Sequence, residues 1–265
     1  MTLPNFLIIG AMKAGTTALY HTLNQHPQIY MSPVKEPHFF SFVGEKEVPY
    51  PTIVTEDAAY QNLFADVSDE RAIGEASPSY LVHPKAPSNI KQYIPDARLV
   101  AILRNPIDRA YSHYKHQVQI GEEENPDFLK AFQQSMAYHE KNNSVWRSYC
   151  YQSLYATHLK IYFDLFDRNQ IKTYLYDEFV SNKQQVVKDI QNFIGVDPQE
   201  ELKVVRTMRS GKPKSRVIYN LLQKQNPVKS MIKQILPSSF RQQLKQTINN
   251  RNIEDSPKLT LQQRQ

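Results

Sequence analysis

The chain has 265 residues, 40% of them hydrophobic, a formal net charge of +6 and a single cysteine, Cys150. That length suits one large α/β domain, or one domain with a tail, and the apolar content is ample for a core. No apolar run approaches the ~20 residues of a membrane-spanning helix, no signal-peptide pattern precedes Phe6, and one cysteine excludes an internal disulfide framework or a Cys-based zinc site. The expected compartment is therefore a reducing cytoplasm. The positive charge fits anionic ligands, although the basic C-terminal stretch alone could supply it.

Phe6-Leu7-Ile8-Ile9 is an unbroken apolar run, as in a strand buried on both faces of a parallel sheet. Gly10 ends it, Ala11 to Gly15 form a short loop, and Thr16-Thr17 open an apolar-periodic helix running to about residue 25. Strand, glycine-flanked loop and helix N-terminus make a phosphate cradle, because backbone N–H groups converge there and the helix dipole adds about half a positive charge. The spacing resembles a P-loop, G-x-x-x-x-G-K-[ST]: Gly10, Gly15 and Thr17 fit. Thr16, however, stands where the lysine belongs, and Lys13 lies inside the loop. A nucleoside triphosphatase needs that lysine on the β- and γ-phosphates. A lysine at the loop crown better suits one terminal phosphate and a group being transferred from it. The bland alternative is an ordinary strand–helix turn.

After a short strand at Ile29 to Met31 comes Ser32-Pro33-Val34-Lys35-Glu36-Pro37-His38-Phe39-Phe40. Two prolines keep it extended and stiff. A Lys, a Glu and a His within four residues are dense chemistry for a loop, set against a surface ion pair beside a packed histidine. Residues 41–70 are polar and irregular, with a helix over about 58–65, and read as an insertion over the sheet edge of the kind that often binds substrate. Ala72 to Ala76 is a strand running into a helix started by Pro78, and Pro87 to Tyr93 is helical.

Leu99 to Leu103 is another buried strand, with Arg104 at its C-terminal end and Pro106 in the first turn of the next helix. Ligands of open parallel sheets bind beyond the carboxyl ends of strands, so Arg104 and Lys13 could face one crevice. Ser112, eight residues on, could meet the same phosphate, with Arg109 between them on a different face. A helix is expected from Asp127 to Tyr138 and a longer one from Tyr149 to Phe166, whose aromatics (Tyr151, Tyr155, Tyr162, Phe163, Phe166) read as core. Ile171 to Tyr176 is a third buried strand, and Asn182 to Phe193 an amphipathic helix stopped by Gly195. Arg206 to Arg216 holds five basic residues with Ser, Gly and Pro between them, a cationic loop suited to close over a phosphate. Beyond Asn226 the chain is basic and glutamine-rich, read as a helical extension (226–265) after a main domain of 1–225.

FLIIGAMKAGTTAL, KEPHFF, GEASPSYL and ILRNPIDRAYSHYKH, in this order and spacing, resemble the sulfotransferases that use 3′-phosphoadenosine 5′-phosphosulfate (PAPS), most of all the branch of the heparan sulfate N- and 3-O-sulfotransferases and related bacterial enzymes. The resemblance covers about residues 5–222. It implies a three-layer α/β/α fold with a central parallel sheet and PAPS as cofactor. Lys13, Ala14, Gly15, Thr16 and Thr17 would hold the 5′-phosphosulfate, Arg104 and Ser112 the 3′-phosphate, and Lys214 and Arg216 would close over the cofactor. Glu36 matches the position of the catalytic base and His38 an accompanying histidine, which is the runner-up as base. Ser215 replaces a glycine between Lys214 and Arg216, and Ala76 stands where some members carry lysine, which puts polysaccharide binding in question.

The chemistry of the residues agrees. Sulfuryl transfer, like phosphoryl transfer, is in-line and loose, so positioning and electrostatics do most of the work. Lys13 can neutralise the leaving oxygen with no metal required, and Arg104 can fork onto the second phosphate and select PAPS over ATP. Small-molecule, carbohydrate, lipid and polyketide acceptors all fit, and no nucleic-acid partner is expected. A P-loop kinase or triphosphatase, and a non-catalytic nucleotide- or polyanion-binding module, remain the alternatives.

Overall fold

The computed structural model describes residues 2–142, 148–199, 202, 211–213, 253–255, 259–260 and 264. Its centre is a five-stranded, all-parallel sheet of β1 (Phe6–Gly10), β2 (Ile29–Met31), β3 (Ala72–Ala76), β4 (Arg98–Leu103) and β5 (Ile171–Leu175) in the order β2-β3-β1-β4-β5. β1 is central, and all five of its residues are buried. That is why its sequence is continuously apolar instead of alternating. Glycine on β3 lets the sheet's aromatic packing close in: a Cβ on Gly74 would lie 2.3 Å from the Phe6 ring.

The helices are α1 (Thr16–Leu23), α2 (Asp57–Asn62), α3 (Ala86–Tyr93), α4 (Pro106–Ile120), α5 (Phe128–Asn142), α6 (Tyr155–Leu165), α7 (Tyr176–Ser181) and α8 (Lys183–Ile194). From β1 the chain crosses β3 to reach β2, and from β3 it crosses β1 in the opposite direction to reach β4. With right-handed crossovers these moves set α1 and α3 on opposite faces, giving three layers. The α/β architecture with a central parallel sheet is the one expected from the sequence.

Three local expectations need correction. Pro78 starts no helix: Tyr80 and Val82 donate back to Ser77 and Ser79 in turns, and Leu81 N–H goes to the Ile9 carbonyl at 2.9 Å, so the turn is spent on holding the end of β1. The helix expected over Tyr149 to Phe166 is broken. The fully buried Arg109 guanidinium takes the Tyr149 carbonyl at 2.5 Å and Ser153 Oγ at 2.6 Å, which leaves a tight turn at Tyr151–Ser153 before α6 begins. On α6, Tyr162 is buried while Phe163, one residue on, faces solvent and is not core.

The chain divides into two compact units, residues 1–110 with 135–207, and 111–134 with 208–265. The division falls within α4 and α5. The first holds the whole parallel sheet. In the second, Tyr111, Tyr114 and Phe128 form an aromatic cluster. There also β6 (Gly211–Pro213) pairs antiparallel with β7 (Ile253–Asp255), a strand inside the stretch expected to be helical.

Candidate active site

Two loops and two strand ends of the first unit build the site. Gly10 closes β1, Ala11 N–H donates to the Ile102 carbonyl of β4 at 2.8 Å, and Leu81 N–H clamps Ile9 from the other side. The loop crown is Lys13, half-buried with φ 69°. Gly15 then starts α1 with φ 90°, a conformation that favours glycine, and a Cβ there would approach Phe179 at 3.2 Å. No side chain caps α1 and its first turn carries no acidic residue, so its leading N–H groups are left for an anion. Ala14 and Thr16 are buried beneath the crown and Thr17 is half-buried.

Arg104, at the end of β4, reaches this loop. Its Nη1 donates to the Lys13 carbonyl at 3.1 Å, and its guanidinium lies 4.7 Å from the centre of the Tyr176 ring. The contact brings the end of β4 against the backbone of the Lys13 loop. Tyr176, the first residue of α7 just beyond β5, reads in the sequence only as the end of a strand, although its ring lies against Arg104 and close to Gly15. Its place at a third parallel strand end was the available signal. Ser112 lies two turns along α4 in the second unit, with its side chain buried. Lys214 and Arg216 lie outside the described residues.

The second loop is Lys35 to Phe40. Glu36 and His38 both have left-handed backbones, φ 62° and 55°. Lys35 Nζ pairs with Glu36 Oε1, and His38 Nε2 lies 3.7 Å from Glu36 Oε2. Burial pushes the Glu36 carboxyl up, but Lys35, with His38 and Lys13 adding to it, outweighs that and leaves the group below the usual carboxylate range. His38 is buried, with Nδ1 2.7 Å from Ser79 Oγ. Burial, partly offset by Glu36, lowers its pKa to about 4, so the ring is neutral at pH 7. An ionised, partly open carboxylate with a neutral histidine against it can take a proton from a nucleophile, and an ammonium can stabilise a leaving anion.

The "Sulfotransferase domain" family matches residues 3–254. A solved sulfotransferase from Alicyclobacillus acidocaldarius is 36% identical, with a TM-score of 0.71 over 79% of this chain and 87% of that one. Human heparan sulfate glucosamine 3-O-sulfotransferase 6 is 29% identical over 73% of this chain and 52% of its own. Mouse bifunctional heparan sulfate N-deacetylase/N-sulfotransferase 4 is 28% identical over 74% of this chain and 23% of its own. The chain spans about half the length, or less, of these curated relatives. No helix among the described residues is long and apolar enough to cross a membrane. With the domain matched along nearly its whole length, and the parallel sheet shared with a solved relative, this chain belongs to the sulfotransferase family.

Proposed function

We propose that the protein transfers a sulfuryl group from PAPS to a hydroxyl or amine, with Lys13 and Glu36 on either side of the reacting atoms. The observation that carries this is the Arg104–Lys13 contact at 3.1 Å, which ties a second anion-binding strand end to the cradle. The residues fit the cofactor: an uncapped helix start free of acidic residues, a left-handed glycine before it, and a guanidinium one strand away. PAPS supplies the activated sulfuryl group on its 5′-phosphate.

The backbone of Ala14, Gly15, Thr16 and Thr17 holds that phosphate, and the Lys13 ammonium meets the negative charge that develops on the leaving oxygen. Arg104 would hold the 3′-phosphate, and the resemblance to the family assigns Ser112, Lys214 and Arg216 to the same cofactor. Glu36 accepts the acceptor's proton. Its low pKa keeps it ionised at neutral pH, and the loose transition state makes modest demands on the base. His38, neutral and fixed by Ser79, orients the carboxylate instead of taking the proton itself.

The relatives' names favour a carbohydrate acceptor, with small-molecule, lipid and polyketide hydroxyls as the other classes. Incubation with sulfur-labelled PAPS and a panel spanning these classes tests the reading. Label moving to a panel member in the wild type, and lost in Lys13→Ala, supports it. Binding of Mg-ATP in preference to 3′-phosphoadenosine 5′-phosphate (PAP) would place the chain with the P-loop kinases, and tight PAP binding with no transfer would make it a binding module.

A further inference from the structure

The loop carrying Glu36 and His38 is tied down by a carboxylate that the proposed reaction does not use. Glu75, on β3, is fully buried. Its Oε2 accepts from Ser77 Oγ at 2.9 Å, and its Oε1 accepts from Tyr80 Oη at 2.5 Å and, longer, from Tyr60 Oη at 3.4 Å. Two of these hydroxyls pass the interaction on. Ser77 Oγ accepts the His38 backbone N–H at 3.1 Å, and Tyr80 Oη accepts the Phe40 N–H at 3.3 Å. Two relays thus run from the two oxygens of one carboxylate to alternate amides of the catalytic loop.

We propose that Glu75 is the positioning residue of this site: through Ser77 and Tyr80 its carboxylate holds residues 36–40 in the conformation that presents Glu36 to Lys13. The functional weight of this rests on Glu36 acting as the base, while the anchoring itself can be read apart from that. Two left-handed non-glycine residues in three persist only where the surroundings over-determine them. The fixed contacts of this loop include Glu36 N–H to the Ala76 carbonyl, Val54 N–H and Asn89 Nδ2 donating to the Pro37 and Phe40 carbonyls, the two relays, and Ser79 on His38. Of these, the relays alone reach the His38 and Phe40 side of the loop from a carboxylate. An ionised carboxylate only accepts. Both hydroxyls must then aim their protons at Glu75 and turn lone pairs to the loop. A carboxylic acid or an amide donates from one end, so one hydroxyl loses its acceptor and its relay loosens.

The charged and titratable groups facing Glu75 are Tyr80 from the turn after β3, Tyr60 from α2 and Lys35 from the loop itself. Burial raises the carboxyl to about 7, against the opposing pull of these hydroxyls and Lys35. The anchor therefore strengthens as pH rises through about 7 and weakens as pH falls through it.

The test is amide hydrogen exchange in the full chain, read as protection factors at His38 and Phe40 from pH 6 to 8, with Leu7 and Ile8 of β1 as internal standards. Ser77→Ala should lose protection at His38 alone and Tyr80→Phe at Phe40 alone, each about tenfold or more. Glu75→Gln should weaken at least one of the two amides and abolish the wild type's loss of protection below pH 7. Tyr60→Phe, which removes a donor to Glu75 but no relay, should leave both amides within twofold of wild type. Unchanged protection in Ser77→Ala and Tyr80→Phe, or a wild-type profile flat with pH, overturns the proposal even if Glu75→Gln does not fold. Calorimetric titration with PAP separates this from the reaction itself: wild type failing to bind PAP would remove the sulfotransferase reading, whereas the exchange pattern would still judge Glu75.

Discussion

Glu75→Gln has a consequence for stability that can be worked out from the site. Burial raises the carboxyl from 4.5 to about 7. At 1.36 kcal/mol per unit, this corresponds to roughly 3 kcal/mol between the two protonation states. A carboxyl whose folded pKa lies above its unfolded one supports the fold fully below pH 4.5, and that support is lost as pH rises through about 7. Glutamine does not titrate there. Whatever constant offset the substitution brings, the stability of Glu75→Gln relative to wild type should therefore climb by roughly 3 kcal/mol between pH 4.5 and 8, then level off. In thermal terms this is about 6–12 °C for a protein of this size class. Urea titrations followed by far-UV circular dichroism at pH 5, 6, 7 and 8 measure it. A difference that stays flat across this range, or narrows as pH rises, would refute the reasoning. The rise would also mean that wild type retains a costly ionised carboxylate where a neutral residue is more stable, as expected if the charge serves the loop.

Other substitutions probe the remaining parts. Lys13→Ala should cut turnover by about 100-fold or more, chiefly in kcat, because its charge is needed most when the leaving oxygen becomes anionic; steady-state kinetics with PAPS would show it. Glu36→Gln should abolish transfer while His38→Ala leaves a measurable rate, and full activity in Glu36→Gln would move the base to His38. Gly15→Ala forces a Cβ into a φ of 90° and to 3.2 Å from Phe179; PAP affinity should fall, along with about 1–3 kcal/mol of stability. Gly74→Ala brings a Cβ to 2.3 Å from the Phe6 ring in the middle of the sheet. The loss in a denaturant titration should be about 1–3 kcal/mol, the usual range for overpacking.

Much of this architecture was legible because parallel strands buried on both faces leave no alternation to misread. Phe6 to Ile9 and Leu99 to Leu103 announce themselves as unbroken apolar runs, and Lys13 and Arg104, just beyond their ends, meet through the Lys13 carbonyl. β5 was found for the same reason, although as an edge strand it is only half-buried. What could not be read was what long-range partners impose. Nothing near Tyr149 signals that a guanidinium forty residues earlier will take its carbonyl and break the helix. Pro78 is a good helix starter, yet Leu81 N–H serves the end of β1 instead. Glu75 was visible within GEASPSYL but carried no role, because a carboxylate acting through two hydroxyls on a loop some forty residues earlier in the chain has no spacing signature. In the C-terminal stretch, Ile253 to Asp255 holds too few residues for any periodicity, and its partners Gly211 to Pro213 lie 40 to 44 positions earlier.

The central claim is that one crevice reads two phosphates of a single nucleotide, the first at the Lys13 loop and the second at Arg104. Calorimetric titration of wild type and Arg104→Ala with PAP and with 5′-AMP tests it most directly. Wild type should bind PAP at least tenfold more tightly than 5′-AMP, and Arg104→Ala should bring the two together by weakening PAP alone. Equal affinities in the wild type, or a PAP preference that survives the loss of Arg104, would contradict the account.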